Sequence, residues 1–135
     1  KLALKNGKES KQKIFTGYVV NSLAMYAIKN KNFEEAEEYL KRGEELCQET
    51  KSNVLCFNAF LRKGSYHDNL ESFELAEAAF KKAINYAIKA KGSQDLMLAY
   101  AYFGKHYVLD GKPYKAIESF KKFKENKNSI IFLLN

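Results

Sequence analysis

Apolar residues recur every three to four positions along almost the whole chain, which is the spacing of one face of an α-helix. Residues 16–30 carry the pattern clearly, because Val20, Leu23, Ala24 and Ala27 fall on one side of a helix. The alternation typical of a strand is missing, and only the short apolar stretch 130–134 is ambiguous. The pattern predicts an all-α protein with helices near residues 16–30, 32–50, 53–67, 72–90, 94–109 and 113–124.

The helical pattern repeats at an interval of 40 residues. Three columns of similar residues share this interval: Ala24, Gly64 and Gly104; Ala36, Ala76 and Ala116; Leu40, Phe80 and Phe120. A glycine inside a helix costs about 1 kcal/mol relative to alanine, so the small column indicates close packing against a second helix. We predict one domain over residues 1–135 with helix pairs at about 13–52, 53–92 and 93–128 and a C-terminal cap at 129–135.

The third unit resembles the tetratricopeptide (TPR) repeat, which places bulky, small and aromatic residues in a fixed order. The matching residues are Tyr100, Phe103, Gly104, Tyr107, Ala116, Phe120 and Phe123. The second unit departs from this order at Lys63 and His67, and the first keeps mainly the small positions. The resemblance implies a right-handed α-solenoid of three antiparallel helix pairs, whose first helices line a concave groove.

The repeat is longer than the usual 34 residues of this family. Repeats of 40 residues are similar to those of bacterial peptide-sensing regulators of the Rap and PlcR type and of the phage arbitrium receptors. Similar lengths occur in eukaryotic adaptors such as kinesin light chains. The start at Lys1, without a methionine, favours a fragment of a larger protein.

Charge and cysteine content narrow the choice of partners. The net charge of +7 comes almost wholly from lysine, since Arg42 and Arg62 are the only arginines. Nucleic-acid surfaces usually rely on arginine, so we expect a solvated lysine-rich surface, no direct nucleic-acid contact and weak attraction to acidic partners.

Cys47 and Cys56 lie among apolar residues, and we expect two free core thiols in a reducing, cytoplasmic compartment. No apolar run is long enough to cross a membrane.

Catalytic and metal-binding patterns are missing from the sequence. His67 and His106 have no carboxylate or cysteine at metal-ligand spacing, and His67 falls where the family packs a tyrosine between helices. We find no nucleophile elbow, phosphate-binding glycine loop or zinc pattern. We therefore expect no enzyme activity, no metal and no cofactor.

The TPR resemblance also implies which positions face the concave groove. They are Tyr18, Asn21, Ser22, Met25 and Ile28 in the first unit; Asn58, Leu61, Arg62, Ser65 and Asp68 in the second; and Leu98, Ala101, Tyr102, Lys105 and Val108 in the third. Within this set, Asn21 and Asn58 could pair with a peptide backbone, and Arg62 and Lys105 could bind a carboxylate. The lysine/asparagine clamp of chaperone-binding TPR adaptors is absent from this register. In a second interpretation, these residues are ordinary solvent-exposed surface or contact missing repeats.

The resulting hypothesis is a peptide- or protein-binding module. It would be the C-terminal, ligand-sensing part of an intracellular bacterial or phage transcriptional or quorum-sensing regulator. The alternative is a constitutive protein–protein scaffold or adaptor without switching, and a remote third is nucleic-acid binding through the lysines. The apolar tail 129–135 is interpreted as a cap, with a homodimer contact or the start of a continuation as alternatives.

Overall fold

A computed structural model describes the backbone of residues 2–134 and the side chains of residues 7–127. It contains six α-helices and, in this range, no strand: α1 Leu2–Lys29, α2 Phe33–Thr50, α3 Asn53–Asn69, α4 Phe73–Ala90, α5 Ser93–Leu109 and α6 Pro113–Leu134. The predicted all-α class is confirmed. Helix α1 begins well before the predicted start near residue 16. The predicted cap is continuous with α6, and its side chains lie outside the described residues.

The forty-residue period is present in the backbone as well as in the sequence. The turns inside the three units place Lys31, Glu71 and Gly111 in the left-handed conformation, with φ of 60°, 58° and 71°. One residue later, the N–H of Asn32 donates to the Ala27 carbonyl at 2.8 Å, and the equivalent bond from Lys112 reaches the Tyr107 carbonyl at the same distance. Each pair thus turns through the same helix-terminating motif.

The helices form an inner and an outer layer. Within each unit the two helices pack on each other, and α2 packs on α3 as α4 packs on α5. The first helices of neighbouring units also contact each other, α1 with α3 and α3 with α5. In the described part of the chain, the second helices α2, α4 and α6 make no contact with one another. Because the first helices are close together and the second helices are spread apart, the stack curves with α1, α3 and α5 on its concave side.

Small residues set the distance between the helices of a pair, as the sequence predicted. A Cβ atom added to Gly64 would lie 2.6 Å from the ring of Phe80, and one added to Gly104 would collide with the ring of Phe120. Phe80 is 1% exposed and belongs to the main core, which also contains Phe57, Phe60 and Phe103. In the second and third units, the small-residue column therefore marks the places where an aromatic ring of the second helix lies on the first helix.

The two cysteines correct one sequence-based expectation. Cys47 near the end of α2 and Cys56 near the start of α3 are both buried, as expected of core residues. However, they form a disulfide rather than two free thiols. The bond joins the first unit to the second across the turn between them, with a Cα–Cα distance of 4.8 Å. Disulfides are uncommon in reducing compartments, so this pairing does not support the reasoning that led to a cytoplasmic location.

Candidate peptide-binding cleft

A cleft of about 190 Å³ opens on the concave side, between the three first helices. Its lining comes from all three units: Met25, Ile28 and Lys29 of α1; Arg62, Ser65 and Asn69 of α3; Tyr102 and Lys105 of α5. Six of the groove positions predicted from the sequence lie here, namely Met25, Ile28, Arg62, Ser65, Tyr102 and Lys105. We refer to this site as the concave cleft.

The repeat explains why these residues meet. Met25, Ser65 and Lys105 occupy the same position of successive units, and Arg62 and Tyr102 share another position three residues earlier. Residues three or four apart lie on the same face of a helix, so α3 and α5 each present both positions to the cleft, whereas Ser22, the equivalent residue of α1, is outside the lining. Stacking of the units then brings the equivalent side chains together.

Three cations converge on the concave cleft. Lys29, Arg62 and Lys105 each come from a different unit, and none forms an ion pair with another described residue. The Nε atom of Arg62 is buried without a hydrogen-bond partner among the described residues. No carboxylate lines the cleft. The cleft therefore carries three positive charges that are not held in ion pairs with described residues.

The rest of the lining is apolar or weakly polar. Met25, Ile28 and Tyr102 supply apolar surface beside the cations. The side chain of Asn69 donates a hydrogen bond to the Ser65 carbonyl at 2.8 Å, which leaves its amide oxygen to accept another bond. This mixture suits a ligand with an anionic group next to an apolar one.

Three sequence-predicted groove residues that do not line the cleft lie in the protein interior: Asn21, Leu61 and Asp68. Asn21 is 3% exposed and Leu61 is 0% exposed, so neither presents open surface to a ligand. Six others lie on partly or fully open surface outside the cleft lining: Tyr18, Ser22, Asn58, Leu98, Ala101 and Val108. The amide of Asn58 donates to the carbonyl of Val54 in its own helix at 3.0 Å, which reduces its capacity to pair with a peptide backbone.

The sequence-based selection missed Lys29 and Asn69. They stand at equivalent positions of the first two units, each four residues after a predicted groove residue, Met25 or Ser65. Extending that column by one helical turn would have found both.

A buried histidine–carboxylate pair lies behind the cleft and joins α3 to α5. Nδ1 of His106 is 2.6 Å from Oδ1 of Asp68, and both residues are almost completely buried. Burial raises the pKa of the Asp68 carboxyl, although the hydrogen bond from His106 and the charge of Lys105 act in the opposite direction. The carboxyl of Asp68 is therefore held by His106 rather than presented to the groove, where the sequence had placed it.

The other histidine lies between α2 and α3. His67 is half-buried, and its ring packs at 5.2 Å from the ring of Tyr66. Burial, and then the neighbouring charge of Lys63, lower the pKa of His67. No group of three or more metal-binding side chains is found among the described residues.

Asn21 has a packing role that can be tested by a double-mutant cycle. Neither polar atom of its amide has a described hydrogen-bond partner, and a Cβ added to Gly43 would collide with its Oδ1. We expect Gly43→Ala to cost about 1–3 kcal/mol in the wild type by overpacking. In an Asn21→Ala background the same change should stabilise by up to about 1 kcal/mol, because alanine is the better helix former.

Denaturant unfolding of the four variants measures this coupling. Additive effects would contradict the contact between Asn21 and Gly43. Helix α1 offers a matched control in Gly7→Ala, because a Cβ at Gly7 would meet nothing within 4 Å.

Fold and cleft together define a class of protein: a helical repeat solenoid with a ligand-sized cleft on its concave face. The sequence model of the tetratricopeptide repeat matches residues 19–50 and 57–87, within the first two helix pairs. These matches support a protein of the TPR family, whose repeats serve as protein–protein interaction modules and are typically non-catalytic. No curated protein and no solved structure matches the chain significantly. Within the described residues, no helix is long and apolar enough to cross a membrane.

Proposed function

We propose that the chain binds a peptide or protein segment on its concave face and anchors a carboxylate of that segment in the concave cleft. The observation that carries this proposal is the convergence of Lys29, Arg62 and Lys105, one from each unit, without a described ion-pair partner. The apolar side chain next to the carboxylate would pack against Met25 and Tyr102.

The size of the cleft limits what enters it. About 190 Å³ holds one side chain or one chain terminus, so the rest of a bound segment would extend along the groove. A carboxylate in contact with three cations gains charge-assisted hydrogen bonds, which are stronger than those between neutral groups. Arg62 is well suited to this contact because its planar guanidinium can bind both carboxylate oxygens.

Removal of one cleft cation should reduce binding about ten- to hundredfold, which corresponds to the loss of one charged hydrogen bond. The probe is an array of hexapeptides with acidic residues, in which each sequence is present with a free C-terminal carboxylate and with a C-terminal amide. Affinities of the selected hexapeptides are measured for wild type, Arg62→Gln and Lys105→Gln. Lys121→Gln, which removes an exposed charge from α6, is the matched control.

Unchanged affinity in both cleft variants would refute the anchoring role. Retention of binding by the amidated peptides would assign the carboxylate to a side chain, and its loss would assign it to the C-terminus. Asn21→Ala should retain binding, since Asn21 is buried away from the cleft surface.

A more specific version of the proposal is that the chain senses the bound segment by changing its conformation. Because the concave cleft includes residues of α1, α3 and α5, a bound segment would bridge all three units and fix their relative orientation. The further assignment to a cytoplasmic, peptide-controlled transcriptional or quorum-sensing regulator rests on the sequence resemblance alone. Small-angle scattering with and without a binding hexapeptide separates the two roles, since a change in dimensions supports sensing and unchanged dimensions support a constitutive scaffold.

A further inference from the structure

The two ends of the solenoid expose apolar surface that is covered elsewhere in the chain. At the first end, α1 exposes a stripe that we name the head face: Phe15, Val19, Leu23 and Tyr26. At the other end, α6 exposes the residues that we name the tail face: Pro113, Ile117 and Phe120. These faces lie on the first helix of the first unit and on the second helix of the last unit.

The repeat shows what kind of surface covers a head face. Val19 is 43% exposed, whereas its equivalents one and two units later, Ala59 and Ala99, are 4% and 1% exposed. Leu23 is 40% exposed, whereas Phe103 at the equivalent position is 7% exposed. In the second and third units this face packs against the second helix of the preceding unit, α2 on α3 and α4 on α5.

The tail face shows the same contrast from the other side. Phe120 is 41% exposed, but its equivalent Phe80 is 1% exposed because α5 lies over it. The ring of Phe80 lies 6.0 Å from that of Phe103 and 5.6 Å from that of His106. A helix with the face of α1 or α5 would cover Phe120 in the same manner.

The contacts between units recur from one junction to the next. Phe33 of α2 meets Tyr66 of α3 with ring centroids 6.1 Å apart, and Phe73 of α4 meets His106 of α5 at the same distance. In α6 the residue equivalent to Phe33 and Phe73 is Pro113, and in α1 the residue equivalent to Tyr66 and His106 is Tyr26. In the same way, Phe120 is equivalent to Phe80, and Leu23 is equivalent to Phe103. A junction between α6 and an α1 helix would therefore pair Pro113 with Tyr26 and Phe120 with Leu23.

We propose that the tail face of one copy of this chain docks on the head face of a second copy, continuing the junction between units across two molecules. Helix α6 is the only second helix of the three described pairs that is not already packed against a following first helix. It lies at the opposite end of the stack from α1, so it cannot cover the head face of its own molecule.

This arrangement has a distinctive geometry. The two contacting surfaces are different, so the contact is head-to-tail and each added copy leaves a free head and a free tail. A stack that repeats a constant rotation between units does not close after two copies. The chain should therefore form open assemblies that grow with concentration rather than a discrete dimer.

Charge would oppose this contact at low ionic strength. Both terminal helices carry more lysine than carboxylate over their described side chains, including Lys8 and Lys11 on α1 and Lys121 and Lys122 on α6. Salt screens this repulsion and leaves the apolar contact unaffected. The association should be measured in high salt.

Sedimentation velocity over about three decades of concentration tests the proposal. The wild type should grow beyond a dimer. Leu23→Glu on the head face and Ile117→Glu on the tail face should each be monomeric, because each removes one of the two complementary surfaces. An equimolar mixture of the two variants should form a 1:1 heterodimer, since it contains one intact tail face and one intact head face. Leu75→Glu, at an apolar position of α4 that is 58% exposed, is the matched control and should associate like the wild type.

Each alternative result overturns the proposal. If the wild type stays monomeric, self-association is refuted, and the head and tail faces would instead bind another protein or another helical unit. Self-association of either single variant would indicate pairing of like faces. Circular dichroism verifies folding, and Tyr26→Glu and Pro113→Glu replace either variant that fails to fold.

Discussion

Replacement of Asp68 by alanine should lower the free energy of unfolding by about 3–5 kcal/mol, the usual cost of breaking a buried pair. The change leaves Nδ1 of His106 without its partner at 2.6 Å, in a fully buried site next to the rings of Phe80 and Phe103. Chemical denaturation of Asp68→Ala and wild type at neutral pH measures the effect.

Two further variants separate the pair from general damage to the core. Asp68→Asn retains an oxygen that can accept a hydrogen bond from His106, so it should cost about 1 kcal/mol. The double variant Asp68→Ala/His106→Leu should recover most of the loss, since a buried polar pair can often be replaced by apolar residues without penalty. If the double variant is as unstable as the sum of its single changes, the stabilising role of the pair is refuted.

The pair also gives a pH dependence of known sign. Burial raises the pKa of the Asp68 carboxyl, so the folded chain holds this proton to a higher pH than the unfolded chain does. The stability that this proton contributes is complete below the ordinary aspartate pKa of about 3.9 and is lost as the pH rises through the raised value. Stability relative to Asp68→Asn, which has no carboxyl at this position, should therefore decrease as the pH rises from 3.9.

Gly64→Ala should destabilise the chain by about 1–3 kcal/mol, whereas the equivalent change Gly104→Ala should be close to neutral or slightly stabilising. Each new methyl group meets an aromatic ring, that of Phe80 or of Phe120. Phe80 is 1% exposed and enclosed by the rings of α5, so it has no room to move. Phe120 is 41% exposed and can shift outward, which leaves the gain of about 1 kcal/mol in helix propensity.

Thermal unfolding of the two single variants makes this comparison directly, because the helix position and the chemical change are the same. Equal melting temperatures would contradict the argument from the freedom of the ring. Gly104→Leu should be destabilising, since its larger side chain also overpacks the helix pair. An unchanged melting temperature for that variant would contradict the repeat register itself.

Much of the fold could be predicted from local patterns. The spacing of apolar residues predicted the helices, and the column Ala24, Gly64 and Gly104 predicted the packing of each pair, because both depend on contacts within one unit. The long extent of α1 was not predicted, since residues 2–15 are rich in lysine and have a weak apolar face. The intrinsic helix propensity of these residues does not by itself predict such an extension.

The cleft was predicted in part, and the errors have a common cause. Met25, Ser65 and Lys105 were found because they share one repeat position that faces the concave side in every unit. Asn21 and Leu61 were misplaced because a first helix is contacted by its own partner and by neighbouring first helices, which leaves only a narrow open arc. Residues at the edge of that arc cannot be assigned from a single helix.

The sequence by itself determined the helical class, the forty-residue unit and the positions where helices come close, because each follows from the order of side chains along one or two adjacent helices. Only the tertiary structure decided that Cys47 bonds to Cys56 and that Asp68 reaches His106 across 38 residues. It also decided that three cations meet in one cleft. These contacts depend on the distance and rotation between successive units, which no single stretch of the chain specifies.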